Sequence, residues 1–158
     1  MLGGVLVAQV IGIFEEELAQ VASLMVFVPL IAAMAGNVGV QSSAIVVQGL
    51  ANSSLDTSSI FAKLLKELAV ALVNGAICGA VILAYSVAFM DSLALSYTVG
   101  ISLFSVIIIA ALFGTLVPLL LDKAKIDPAL ATGPFITTMN DIIGLSVYFI
   151  FAQMFFQI

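Results

Sequence analysis

The chain has 158 residues, 63% of them hydrophobic and only 8% charged, with a mean hydropathy of +1.32 and a formal net charge of −5. Soluble domains are about a quarter charged, so a water-solvated surface is excluded and the composition is that of an integral membrane protein. Four lysines form no basic patch for a nucleic acid, one cysteine (Cys78) excludes a disulfide framework, and the lack of histidine excludes Cys/His zinc sites and the commonest general base.

The first apolar run, Leu2 to Phe14, ends at Glu15, Glu16 and Glu17. At ~1.5 Å per residue it is short for a hydrocarbon core of ~30 Å. The second run starts at Leu18, contains Pro29, and passes through Gly36-Asn37-Val38-Gly39-Val40-Gln41-Ser42-Ser43 before ending at Ala51. That is too long for one straight crossing, and the glycines predict a break or tilt near Gly36-Asn37. A polar loop from Asn52 to Ser59 offers helix N-caps. The third segment carries Lys63, Lys66 and Glu67 in its first turns and is apolar from Leu68 to Met90. Asp91 marks a turn, and the fourth segment is uncharged from Ser92 to Leu121, with Pro118 near its end. A charged loop from Asp122 to Asp127 leads into the fifth segment, from Pro128 to Ile158.

Five crossings put the loops at 52–67 and 122–127 on one side, and all four lysines with them. Lysine and arginine excess marks cytoplasmic loops. The N-terminus is therefore expected in the cytoplasm and the C-terminus outside, in an all-α multi-pass protein of the cell membrane.

Asp141 is the residue around which a function is best sought. It stands about 20 Å along the segment that begins at Pro128 and precedes an uncharged stretch from Ile142 to Ile158. Intramembrane acids are costly and mark ion or proton paths, the alternative being a structural acid hydrogen-bonded or protonated within the bundle. Thr137, Thr138 and Asn140 lie within four residues before it, with Thr137 on its face. Pro134 is read either as a plain kink or as a device that frees the carbonyl of Leu130. On the second segment, Asn37 and Gln41 are one turn apart and offer uncharged oxygens, which suit hard cations such as Mg²⁺ and Ca²⁺. Ser42 and Ser43 are read as helix-packing groups, as are Gly75, Gly79 and Cys78, and Asn74 as a bond to a neighbouring helix. No glycine-rich nucleotide loop and no nucleophile–base pair occurs, so an enzyme is not expected.

Taken together, Phe14-Glu15-Glu16, the run Phe27-Val-Pro-Leu-Ile-Ala-Ala-Met-Ala-Gly-Asn-Val-Gly-Val-Gln41, Gln48-Gly-Leu-Ala51 and Asp127-Pro-Ala-Leu-Ala-Thr-Gly-Pro-Phe-Ile-Thr-Thr-Met-Asn-Asp141 resemble the membrane domain of the MgtE family of magnesium channels. The resemblance covers nearly the whole chain. It implies a homodimer with five helices per subunit and a cation pore on the two-fold axis, lined by the second and fifth helices. It further implies that Asp141 recognises hydrated Mg²⁺, assisted by backbone oxygens near Ala33 and Thr137, with Asn37 near the cytoplasmic mouth. Family members usually carry cytosolic regulatory domains. The expectation here is a single membrane domain, residues 1–158, without them, and the family often has a basic residue near Gln48 and a glycine in place of Ala35.

The expected function is therefore divalent cation transport, with Mg²⁺ as the ion and Asp141, Asn37, Thr137, Ala33, Thr138, Asn140 and Gln41 as candidate contacts. A cation/proton or cation/sodium exchanger is the alternative, and a non-transporting membrane scaffold a third reading. The expected partners are the cation, the lipid bilayer and a second copy of the chain.

Overall fold

The computed structural model describes residues 1–52, 60–131 and 133–157, and the regular structure among them is helical. A short α1 (Leu2–Ile13) is followed by α2 (Glu15–Gln20) and a 3₁₀ stretch, Ala22–Phe27. Four long helices come next: α3 (Val28–Ala51), α4 (Ile60–Phe89), α5 (Leu93–Lys123) and, after a 3₁₀ turn at Pro128–Ala131, α6 (Pro134–Phe156). These four, α3 with its 3₁₀ lead-in, are long and apolar enough to cross a membrane, whereas α1 has 12 residues and spans about 18 Å. The chain is thus a multi-pass membrane protein with four span-length helices among the described residues.

The expected break at Gly36-Asn37 does not occur, because α3 runs unbroken from Val28 to Ala51. The irregularity falls earlier, in the Ala22–Phe27 stretch, and Pro29 sits in the first turn of α3, where its missing N–H costs no helical bond. Similarly, Pro134 neither kinks a helix nor frees Leu130. It opens α6, preceded by Gly133 at φ +57°, a left-handed conformation that glycine adopts without strain. The fourth segment matches closely, with the Ser92 hydroxyl capping α5 by accepting from Leu95 N–H at 3.3 Å. The remaining capping loop, residues 53–59, lies outside the described residues.

The most apolar of the four long helices is the most enclosed. Half of the most apolar window of α5 is buried, against 17% of that of α4, and α5 packs on α3, α4 and α6. Helices cannot gain much from burying apolar surface in lipid, so they associate where small residues let backbones approach. Gly75 and Gly79 of α4 do this against Phe104 and Gly100 of α5. A Cβ on Gly114 of α5 would overlap the carbonyl oxygen of Gly39 in α3. Asn74, expected to bond a neighbouring helix, instead accepts from Cys78 Sγ one turn along α4 at 3.5 Å.

Adjacent long helices alternate in direction. The end of α3, the start of α4, the end of α5 and the start of α6 share one face, which carries Lys63, Lys66, Lys123 and Lys125. α1 runs parallel to α6, with Gly3 against Thr138 and the Phe14 ring 4.9 Å from that of Phe149. At the face remote from the lysines, the Tyr148 hydroxyl donates to Leu24 O at 2.9 Å and pins the 3₁₀ stretch onto α6.

Candidate functional site: the crossing of α3 and α6

α3 and α6 run antiparallel in direct contact, and glycines decide how closely. A Cβ added to Gly36 would stand 3.3 Å from Asp141 Oδ1 and 3.6 Å from Thr137 Cγ2, so the acid lies against bare backbone. One turn toward the lysine end, the Asn140 amide occupies the space a side chain on Gly39 would need. Toward the other end, a Cβ on Gly144 would be 3.0 Å from that of Ala35. The sequence motif from Gly36 to Gln41 is therefore first of all a seam. Its glycines, read from sequence as a source of backbone freedom, are used for close approach.

The start of α6 is recessed. Ser43 Oγ donates to the buried carbonyl of Ala131 at 2.6 Å, which ties the Pro128–Ala131 turn to α3 eight residues before α3 ends. At ~1.5 Å per residue that is roughly 12 Å inside the bundle end. Asp141 lies seven residues into α6, roughly 10 Å deeper. The two steps together place it about 22 Å from the lysine end of α3, which agrees with the depth expected from sequence.

Of the seven candidate residues, Asp141 and Thr137 meet at Gly36, and both are partly exposed. The Thr137 hydroxyl donates to the backbone of its own helix, 3.1 Å from Pro134 O and 3.3 Å from Gly133 O. Its proton is thereby used, and its lone pairs are left as acceptors. Ala33, Asn37 and Gln41 are all exposed, and their four-residue spacing puts them on one face of α3; Gln48 extends the same stripe. The other two point elsewhere. Thr138 packs against Gly3 of α1. Asn140 is 2% exposed, wedged at Gly39, and neither its Oδ1 nor its Nδ2 has a partner among the described residues.

An exposed row of amides on a membrane-spanning helix is expensive against lipid. Asn37 adjoins Gly36, against which the Asp141 carboxylate and the Thr137 hydroxyl lie as acceptors, whereas Gln41 also lines a cleft between α3 and α4. A hydrated cation offers the complement, because its coordinated waters are donors. No cluster of three or more acidic, cysteine or histidine side chains exists among the described residues.

These features define a polytopic helical membrane protein with an intramembrane carboxylate at a glycine-lined helix crossing. The profile of the MgtE family, described as a divalent cation transporter, matches residues 28–151, and the chain belongs to that family, one of transporters and not of enzymes. It is similar to the magnesium transporter MgtE of Bacillus subtilis (38% identity over 92% of this chain). It is also similar to those of Enterococcus faecalis (36% over 98%) and Thermus thermophilus (31% over 98%). In each case it spans about a third of the relative's length, 32%, 34% and 34% respectively.

Proposed function

We propose that the chain conducts divalent cations, Mg²⁺ foremost, through a pore formed by α3 and α6 of two copies related by a two-fold axis. The observation that carries this reading is the position of Asp141 against Gly36 of α3, the helix whose exposed face carries Asn37 and Gln41. A two-fold axis along that row would cover the polar face of each copy with that of the other. It would also bring two Asp141 carboxylates together, an arrangement that like-charge repulsion disfavours until a divalent cation enters.

Mg²⁺ sheds water reluctantly and is held through its hydration shell by one or two carboxylates. Thr137 Oγ1, the amide oxygens of Asn37 and Gln41, and the backbone near Ala33 would accept from that shell. Contact through water keeps binding loose enough for the ion to leave, as conduction requires. In this reading α1 forms the outer part of a fifth crossing alongside α6. The lysine face is cytoplasmic by the positive-inside rule, and the relatives' printed name, magnesium transporter, agrees with the ion.

The test is Mg²⁺ uptake by liposomes containing the purified chain, driven by membrane potential alone. Asp141→Ala should lower uptake at least about tenfold, the size of a lost charge-assisted contact, while Asp141→Glu retains part of it. Uptake that survives Asp141→Ala would sink the proposal. Uptake that needs an opposing proton or sodium gradient would replace the channel with an exchanger.

A further inference from the structure

Packing does not account for one buried polar group in the α3–α6 seam. Asn140 of α6 is 2% exposed, and neither amide atom has a partner among the described residues. It fills the notch at Gly39, where Ile136 Cγ2 is the next side-chain atom, 3.1 Å from an added Cβ. Gly114 of α5 packs against the Gly39 carbonyl, so three helices meet at this level.

Filling the notch needs volume and not polarity. A leucine of nearly the same size would close it without taking an unpaired amide out of water, which is costly. Hydroxyls on helices have a remedy for burial, a bond to the carbonyl four residues back. Thr98 makes one to Ala94 O and Ser146 one to Ile142 O, each at 2.8 Å. An amide has only half of that remedy. Its oxygen needs a donor, and inside a helix the backbone N–H groups are already used.

The hydrogen bonds around the seam show how it can part. Ser43 ties Ala131, just before α6, to α3, and Tyr148 ties the other half of α6 to Leu24. Asn140 lies midway, nine residues after Ala131 and eight before Tyr148. In between, α6 faces α3 at Gly36 and Gly39, which offer no side chain to interlock with it.

We infer that Asn140 makes this seam openable: its dry amide raises the free energy of the closed seam and is hydrated when the middle of α6 bows away from Gly39. The same movement draws Asp141 off Gly36 and widens the space beside it for an ion in its water shell. The link to transport rests on the reading of Asp141 as the ion contact, whereas the opening of the seam does not. Asn140 is thus a positioning residue that acts on the ion through Asp141.

The test uses the full chain in mixed micelles and liposomes, with Asn140→Leu as the variant. Leucine keeps the bulk and removes the amide, so the SDS unfolding midpoint should move later. Potential-driven Mg²⁺ uptake should fall about fivefold, the effect of one such penalty on a two-state equilibrium. A residue that only fills space predicts earlier unfolding, or no change in either readout, and both results overturn the inference. Amide hydrogen exchange reads the opening without any variant. In the unaltered chain, corrected for intrinsic rates, residues 138–142 of α6 should exchange faster than residues 146–150 around the Tyr148 tie. Asn140→Leu should slow that exchange about fivefold. Exchange no faster at the middle than at the tie overturns the inference even where Asn140→Leu fails to fold. Uptake lost with midpoint and exchange unchanged also overturns it, and makes Asn140 a direct ion contact. If Asp141→Ala leaves uptake intact while leucine delays unfolding and slows exchange, the openable seam stands and the ion reading falls.

Discussion

Gly114→Ala probes the closest approach of backbone to backbone at a glycine in the bundle. A Cβ there would overlap the carbonyl oxygen of Gly39 and stand 3.1 Å from both its carbonyl carbon and its Cα. All three atoms are backbone inside α3, so no side chain can rotate away and the helices must part. Overpacking of this kind costs about 1–3 kcal/mol, and the better helix propensity of alanine returns about 1 kcal/mol. A net loss of up to about 2 kcal/mol remains, a fall of as much as roughly 30-fold in the ratio of folded to unfolded protein. SDS titration in mixed micelles reads this as an earlier unfolding midpoint, and liposome uptake should fall as Gly39 carries the α3 seam away from α6. Gly4→Ala is the internal control, because a Cβ at that position meets nothing within 4 Å. If Gly114→Ala unfolds no earlier than Gly4→Ala and transports normally, the close contact of α3 with α5 is wrong.

Gly36→Ala should behave differently, since the added carbon would stand 3.3 Å from Asp141 Oδ1, the end of a side chain that can yield. Its unfolding midpoint should stay near that of the parent while Mg²⁺ uptake drops several-fold, which the same two assays separate. Tyr148→Phe removes the side-chain donor to Leu24 O that ties the 3₁₀ stretch to α6; a loss of about 0.5–1.5 kcal/mol, one hydrogen bond, should appear in the SDS titration. Ser43→Ala frees the buried carbonyl of Ala131 at the recessed start of α6. Amide hydrogen exchange should then accelerate in the Pro128–Ala131 turn before it changes in the α4–α5 pair.

Much of this architecture is written in single residues. The charged turns around Asp91 and Asp122–Asp127 delimit α4, α5 and α6 because a charge is tolerated at a membrane surface and not within it. The depth of Asp141 matches a count of rises from Pro128 because the recessed start of α6 makes up for its later beginning at Pro134, and the gathering of four lysines at one end follows from alternating directions. The glycines carry a less definite signal. Gly36 and Gly39 are compatible with either a bend or a close crossing, and sequence alone does not say whether another helix waits opposite. The small-residue row Ala35, Gly39 and Ser43, at i+4 spacing, is the signal that favours the crossing. Asn140 shows the same limit. Its place next to Asp141 in sequence suggests a shared role, but a step of 100° around the helix turns it into the α3 seam. Nor does any local pattern tell that Pro134 begins a helix whose start is recessed. The bond from Ser43 to Ala131 is a meeting of distant segments.

The two glycine-packed contacts also differ in how far apart their partners lie along the chain. α4 and α5 are joined by the brief turn at Met90–Ser92, so Gly75 and Gly79 find Phe104 and Gly100 as soon as both helices exist. Gly36 and Asp141 are separated by about a hundred residues, and α6 must be in place before they meet. Contacts distant in sequence are slow to close, and regions with few local contacts open first. The α4–α5 hairpin is thus a nucleus for assembly, and the carboxylate site is the last part completed. A chain weakened anywhere along α3 or α6 would still insert and keep its hairpin, but would lose its site, so that abundance in the membrane and activity would separate.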